Sequence, residues 1–322
     1  MRDKTKAGRI AASHLMPTAP SVSSTAHAHR QRLAGIGLLL GAVACFACID
    51  ACAKWLNRGM PPLQTVAIRY LGSFILIAFL LNPRSHPGIM HTQRFGLQIA
   101  RATCLVIMSV CIFTALRYLP LTMVASISFV SPLVTAVLAA PILGESLGPR
   151  RVAAVFVGFA GVLVVTRPWT GHFHPAMLLA VLTAFLNAIY SITTRLLAAH
   201  DSPRTTMFYT GLVAAIVVAP LLPFVWETPA SPSTWLIILL FCTAGALGHW
   251  LLILAHARAP ASVLAPFFYS QLIWATLIGT IVFGESPDRW TMIGGGIVIS
   301  SGLYLLYRER VRHRRPSVDV GV

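Results

Sequence analysis

Long apolar runs, separated by short polar connections, follow one another along most of this 322-residue chain. Most of the runs reach the roughly 20 residues that an α-helix needs to cross about 30 Å of hydrocarbon. They are too long for membrane strands and lack the alternating polarity of such strands. The pattern therefore predicts ten transmembrane helices, at residues 33–53, 63–82, 95–116, 121–143, 152–166, 173–194, 205–226, 234–255, 261–283 and 290–307.

The sequence also repeats itself within these runs. Residues 115 to 146 recur without a gap 140 positions later, so that Gly144, Glu145 and Ser146 return as the triplet 284–286. Each copy of the unit holds five apolar runs, and an odd number makes the second copy enter the bilayer upside down. We therefore predict an all-α membrane protein of two inverted five-helix repeats. Such repeats build alternating-access transporters.

The repeats set the expected domain boundaries. We expect a first repeat at residues 33–168 and a second at 171–307, joined near Thr170. Residues 1–32 are basic and rich in Ser and Ala, which predicts a disordered cytoplasmic tail; Met16 is an alternative start. Residues 308–322 form a basic cytoplasmic tail. The connections between runs are too short to hold a soluble domain.

Composition and charge agree with a membrane protein. The chain is 56% hydrophobic and only 11% charged, where soluble proteins have about a quarter charged residues. With the N-terminus inside the cell, the inner segments hold 18 Lys or Arg and the outer loops hold five. This asymmetry follows the positive-inside rule and predicts a multi-pass inner-membrane protein with both termini cytoplasmic. It explains the net charge of +16 without nucleic acid, and the C-terminal arginines would contact anionic membrane lipid.

Asp50 is the most informative single residue, because a carboxylate inside the bilayer costs about 2.5 to 3.5 kcal/mol on insertion scales. Such a residue needs a partner or a cavity. Lys54 lies one turn further along the same helix, and Arg69 enters the second helix from the same side, so both are expected to reach Asp50. One interpretation is a proton-coupling site or a counter-ion for a cationic substrate. The other is a structural ion pair between the first two helices.

Arg101 lies one to two turns inside the third run from its cytoplasmic end. The simpler expectation is that its guanidinium extends to the inner head groups. The alternative is recognition of an anionic group on a substrate.

Polar and aromatic positions in several other runs predict a shared cavity near the midplane. Thr183, Asn187, Tyr190 and Thr194 form one stripe along the sixth helix, because their spacings of four, three and four keep them on one face. Each residue alone fits an interhelical hydrogen bond, but their distribution over both repeats favours a small-molecule site. The remaining candidates are Ser131 in the fourth helix, His249 in the eighth, and Gln271 and Trp274 in the ninth.

Backbone residues suggest where the helices bend and touch. Pro132 and Pro141 in the fourth run and Pro266 in the ninth remove backbone hydrogen bonds and predict kinks or flexing points. Glycines in the fifth and tenth runs form small-residue surfaces that let helices approach closely. We expect these surfaces to pack within one chain, although a homodimer is an alternative use.

No motif for enzyme catalysis, ATP binding or a metal site occurs, so we expect no enzyme activity, no cofactor and no metal. The six cysteines read as small packing residues rather than as disulfides or ligands. Without a P-loop, transport would be secondary or facilitated.

The chain resembles the drug/metabolite transporter superfamily, and its EamA branch in particular. The resemblance covers residues 33 to 307 and rests on motifs such as Leu119-Pro120, Ser131-Pro132, Leu143-Gly144-Glu145 and Phe283-Gly284-Glu285. It implies ten helices in two inverted repeats around a central cavity, with no cofactor. Asp50 followed by Lys54, Arg69-Tyr70 and Arg101-Ala102 are similar to the subgroup that includes S-adenosylmethionine and riboflavin uptake proteins.

These observations predict a secondary carrier that moves a small organic metabolite across the inner membrane, with protons as a candidate coupling ion. The alternative is a non-transporting membrane scaffold or assembly protein on the same fold. A polar-lined interior would favour the carrier, and a sealed apolar interior would favour the scaffold.

Overall fold

The computed structural model describes residues 22–81, 87–143, 149–171, 173–229, 231–259 and 261–313. All regular structure within these ranges is helical. Short 3₁₀ turns occur at Pro87–Met90, Ala219–Leu221 and Ala265–Ser270. The α-helices are α1 (Val22–Leu56), α2 (Pro62–Leu81), α3 (Phe95–Tyr118), α4 (Leu121–Ser128), α5 (Ser131–Leu143), α6 (Pro149–Thr166), α7 (Ala176–Leu197), α8 (Pro203–Val218), α9 (Leu222–Val225), α10 (Pro232–Arg258), α11 (Ala261–Leu264), α12 (Gln271–Phe283) and α13 (Arg289–His313).

Within the described residues, every predicted span is largely helical. Among the described residues, eight helical stretches are long and apolar enough to cross a membrane. The remaining two predicted spans are α2 and the shorter apolar stretch Val152–Thr166 of α6. The prediction of an all-helical membrane protein built from repeated units is confirmed, whereas the count of ten spans stays a prediction.

The N-terminal boundary differs from the expectation. Helix α1 begins at Val22, so residues 22 to 32, which we assigned to a disordered tail, are helical. The basic and small residues of this segment have no apolar face, and the sequence therefore carried no helix signal. Residues 1–21 and 314–322 lie outside the described residues, as does the 144–148 segment that contains Glu145.

The strongest contacts between helices join one repeat to the other. Helix α1 packs on α10, and its counterpart α7 packs on α3, the counterpart of α10. Two further contacts join equivalent helices directly: α2 with α8, and α6 with α13. A pseudo-two-fold relation between the repeats produces this pairing, because each contact either maps onto itself or onto a second contact.

Prolines interrupt equivalent helices in both repeats. The fourth span breaks between α4 and α5, where Pro132 follows the turn at Phe129 and Val130. In the ninth span Pro266 lies in a 3₁₀ segment between α11 and α12. Pro141 lies inside α5. The expected loss of regular α-helical bonding at Pro132 and Pro266 is confirmed, since proline has no N–H to donate.

Glycines bring α6 and α13 into close contact. A Cβ on Gly294 would lie 2.6 Å from the carbonyl oxygen of Gly161 and 3.0 Å from the backbone nitrogen of Val165. A Cβ on Gly161 would in turn lie 2.9 Å from the carbonyl oxygen of Gly294. These glycine surfaces therefore pack within the chain, as predicted. Gly296 is an exception, because among the described residues no atom from another helix lies within 4 Å of a Cβ added there.

We predict that Gly294→Ala lowers the melting temperature of the detergent-solubilised protein by several degrees. The added methyl group meets backbone rather than a movable side chain, and overpacking of this kind costs roughly 1 to 3 kcal/mol. Gly296→Ala is the matched control and should keep or slightly raise the melting temperature, because alanine favours helix. Equal melting temperatures for the two variants would contradict the close approach of α6 and α13.

Candidate functional site

A cavity of about 580 Å³ lies between α2, α3, α7, α8 and α10. It extends from side chains within the bundle to the loop between α7 and α8 and the last turn of α10. Most of its wall is apolar, and a few polar groups face into it, which is the usual construction of a small-molecule site. The polar and charged residues that line it are Arg69, Tyr70, Ser73, Arg101, Tyr190, Thr194, Asp201, Thr206, Thr210, His249 and His256.

Arg101 is held inside the bundle by hydroxyl groups of the second repeat. Its side chain donates to Thr194 Oγ1 at 2.6 Å, to Tyr190 Oη and to Thr210 Oγ1. The guanidinium carbon lies 4.3 Å from the centroid of the Tyr190 ring, and the residue is only 5% exposed. The simpler expectation, extension to the inner head groups, is therefore wrong. Two hydroxyl-bearing helices within reach keep the cation in the protein instead.

Arg69 lies in the same cavity wall and belongs to a second polar network. Its Nη1 donates to Ser109 Oγ at 3.2 Å, and the Tyr70 hydroxyl lies 2.7 Å from the same oxygen. The guanidinium carbon is 5.2 Å from the centroid of the Tyr70 ring and 5.5 Å from that of Phe113. Aromatic faces stabilise a cation at such distances. Arg69 is thus held by a hydroxyl and two rings.

Asp201 lies at the mouth of the cavity, where it joins two loops. It accepts hydrogen bonds from the Thr92 hydroxyl, from Gln93 N at 2.9 Å and from Gln98 Nε2 at 2.8 Å. Burial opposes ionisation, but these donors and the nearby His200 hold the pKa of the Asp201 carboxyl below its ordinary value. The carboxylate therefore stays charged and fixes the α7–α8 loop to the segment before α3.

The opposite end of the bundle is held by Lys54. Its Nζ lies 2.6 Å from Glu285 Oε1 and donates to the Leu119 carbonyl oxygen at 2.6 Å. Glu285 Oε2 also accepts from Leu121 N at 3.3 Å. We refer to Lys54, Leu119, Leu121 and Glu285 as the closing cluster, because it ties the end of α1 to the α3–α4 and α12–α13 connections. Glu285 thus makes contacts at helix ends; its counterpart Glu145 lies outside the described residues.

Asp50 has a different partner from those expected. Gln271 Nε2 donates to Asp50 Oδ2 at 3.1 Å, and Arg69 is near enough to interact with the carboxylate electrostatically. Within the described residues, Asp50 forms a close ion pair with neither Lys54 nor Arg69. The expected Asp50 to Lys54 contact is therefore wrong: the lysine is drawn to Glu285, which the second repeat brings to the end of α1.

The structure brings only part of the predicted site together. Of the ten candidates, Arg69, Arg101, Tyr190 and His249 line the cavity. His249 packs edge-on against Phe46, with ring centroids 5.3 Å apart.

The other six candidates lie outside this cavity. Lys54 belongs to the closing cluster, and Asp50 and Gln271 bond to each other. Ser131 is buried, and its carbonyl accepts from the Thr135 hydroxyl at 2.8 Å. Asn187 is half-buried, and Trp274 is 37% exposed, so neither converges with Tyr190 and His249 as expected.

Several lining residues were missed from the sequence. Thr206 and Thr210 are four residues apart and share a face of α8, so the helical spacing that revealed the stripe in α7 was also present here. Tyr70 directly follows Arg69. Asp201 gave no usable signal, since a loop carboxylate is ordinarily solvated.

Comparison with known families decides what class of protein this is. The model of the EamA-like transporter family matches the chain twice, at residues 33–167 and 174–308. The chain belongs to the EamA-like transporter family. The two matches coincide with the two packed halves of the fold, and family membership identifies the chain as a transporter.

Individual relatives are similar over nearly their whole length. A riboflavin transporter of Vibrio cholerae is 29% identical over 286 residues, which cover 88% of this chain and 96% of that protein. An S-adenosylmethionine uptake transporter of Rickettsia felis is 28% identical, with 86% and 94% covered. A pseudopaline exporter of Pseudomonas aeruginosa is 25% identical, with 82% and 93% covered.

A solved crystal structure has the same fold. Its TM-score to this chain is 0.60 at 18% sequence identity, and the match covers 86% of this chain and 98% of that one. At this identity the likeness concerns the fold alone.

Proposed function

We propose that this chain is a secondary carrier that moves a small organic metabolite across the inner membrane by alternating access. The observation that carries the proposal is the cavity of about 580 Å³ with Arg69, Arg101, Tyr190 and His249 in its wall. This volume falls within the roughly 300 to 1,000 Å³ of small-molecule sites. A polar-lined cavity that reaches one end of the bundle favours a carrier over a scaffold with a sealed interior.

The closing cluster supports the alternating-access part of the proposal. The cavity reaches the end of the bundle that carries Asp201, while Lys54 and Glu285 join helices at the other end. An alternating-access carrier has such an arrangement in one of its two states: open to one side and closed on the other. The second state would require the closing cluster to separate.

The names of the relatives suggest which substrates to test. Riboflavin and S-adenosylmethionine are transported by proteins that align with 86% or more of this chain. The pseudopaline exporter shows that similar proteins also work outward. We propose a substrate similar in size to riboflavin and S-adenosylmethionine. Transport assays will determine whether it is imported or exported.

We further propose that both termini are cytoplasmic, on the basis of the 18 to five distribution of Lys and Arg. The cavity then opens inward and the closing cluster faces the periplasm. A fluorescent protein that matures only in the cytoplasm should be bright when fused to the C-terminus. The same chain fused to a periplasmic phosphatase should be inactive; a dark fluorescent fusion with an active phosphatase fusion would reverse the topology.

Transport by purified protein in proteoliposomes tests the function itself. We predict uptake of at least one compound from a set that includes S-adenosylmethionine, riboflavin and a mixed metabolite extract. Ala198→Trp, which places an indole in the cavity wall, should reduce that uptake at least tenfold. Ala199→Trp is the matched control, because Ala199 is exposed and does not line the cavity. Wild-type protein that moves no compound in either direction would favour the scaffold.

We propose that Asp50 couples transport to protons. Asp50→Asn should then remove the pH dependence of transport while the protein still folds, because the amide oxygen can accept the bond from Gln271. Asp288→Asn is the control: this carboxylate pairs with Arg167 outside the membrane spans. Full pH-dependent transport by Asp50→Asn would exclude coupling. A loss of stability by roughly 3 to 5 kcal/mol would instead assign the carboxylate to charge balance in the bundle.

A further inference from the structure

Two arginines from the first repeat, Arg69 and Arg101, share the wall of one cavity. Arg101 is almost completely buried, and it lies in a helix that spans the membrane. A charge at this depth is expensive unless an anion, water or a strong hydrogen-bond network offsets it. The group that offsets the two positive charges therefore bears on what the cavity binds.

The protein itself supplies little negative charge to these arginines. Within the described residues, no carboxylate forms an ion pair with Arg69 or Arg101. Asp50 acts on Arg69 at longer range, but it does not line the cavity. Asp201 does line it, at the mouth, where its oxygens accept from Thr92, Gln93 and Gln98. The inner wall of the cavity is therefore electropositive.

Arg101 keeps unused donors in a fixed orientation. A guanidinium has five N–H groups, and the three bonds to Thr194, Thr210 and Tyr190 use one hydrogen on each nitrogen. Nη1 and Nη2 each keep a second N–H. The Tyr190 ring, 4.3 Å from the guanidinium carbon, further restrains the group. Such a group binds carboxylate or phosphate oxygens at a low entropic cost, because its orientation is already set.

The hydroxyls that hold Arg101 all come from the other repeat. Arg101 lies on α3, whereas Tyr190 and Thr194 lie on α7 and Thr210 lies on α8. An anion bound to Arg101 would therefore sit at the junction between the two halves that move relative to each other in alternating access. Binding there would change the interaction between the halves, as a transported substrate must.

We propose that the cavity selects metabolites that carry an oxyanion, a carboxylate or a phosphate, and that Arg101 binds this group with Arg69 close by. The proposal rests on the proposed function in that the bound metabolite is the substrate. The same chemistry is offered by the head group of an anionic lipid, and the experiment below separates the two sources.

The test measures binding by ligand-induced thermal stabilisation of the full chain in a neutral detergent. Two matched pairs of probes differ only in the oxyanion: S-adenosylmethionine with its carboxyl methyl ester, and riboflavin 5′-phosphate with riboflavin. For each pair, the measured ratio is the half-saturating concentration of the neutral member divided by that of the anionic member. In at least one pair this ratio should be tenfold or more. In Arg101→Gln this ratio should fall to within about twofold, and in Arg101→Lys it should be intermediate.

Controls separate binding from folding. Arg58→Gln, in the exposed turn that follows α1, should keep the wild-type ratio. Arg69→Gln provides a second test if Arg101→Gln does not fold, and it should also reduce the ratio. Equal binding of both members in both pairs, or no binding of either anionic member, would overturn the proposal. So would a ratio that survives in both arginine variants.

Two further arms identify the source of the anion and separate this proposal from the carrier itself. If phosphatidylglycerol stabilises the wild type but not Arg101→Gln, and neither soluble anion binds, the site holds lipid and the substrate proposal is wrong. Transport of the same probes is measured in proteoliposomes. Equal transport of anionic and neutral members keeps the carrier and overturns the selectivity. Arginine-dependent binding without any transport keeps the anion site and overturns the carrier.

Discussion

The bilayer offers no partner to a charged side chain, so each charge at the depth of these helices must find its partner inside the protein. Arg101 donates to three hydroxyls, Lys54 pairs with Glu285 and donates to a carbonyl, and Asp50 accepts from Gln271. Each of these three charges lies in the first repeat and has at least one partner from the second. The polar contacts therefore join the halves of the protein, and the apolar faces of the helices fill the space between them.

The course of the helices could be predicted from the sequence because hydrocarbon thickness selects the length of an apolar run. The predicted run 95–116 is α3, and the run 121–143 contains α4 and α5. The break between those two helices also had a local cause, the proline at position 132. The extension of α1 back to Val22 had no such signal, since its residues are mostly polar, basic or small and lie before the first apolar run.

The candidate site was less accessible to prediction, because spacing along one helix says which side chains share a face but not what that face meets. Tyr190 and Thr194 reach the cavity, whereas Thr183 of the same stripe bonds to the carbonyl of Leu179 in its own helix. Lys54 stands one turn from Asp50, yet it pairs with a carboxylate from the other repeat. Only the packing of the repeats decides between such partners, and this packing cannot be inferred from the residue spacing in a single sequence.

Thr210, which accepts a hydrogen bond from Arg101, differs in charge from its counterpart in the first repeat, and this difference affects the energetics of the two conformations. Thr210 lies 141 positions after Arg69, the offset at which α8 repeats α2, so a neutral hydroxyl occupies the place of a cation. If the two inverted halves were identical, a two-fold rotation would relate the inward-facing and outward-facing conformations. The two conformations would then have equal free energies. The charge difference between positions 69 and 210 removes that degeneracy. The empty protein therefore has a preferred resting conformation, and a ligand that binds both conformations equally well cannot change that preference.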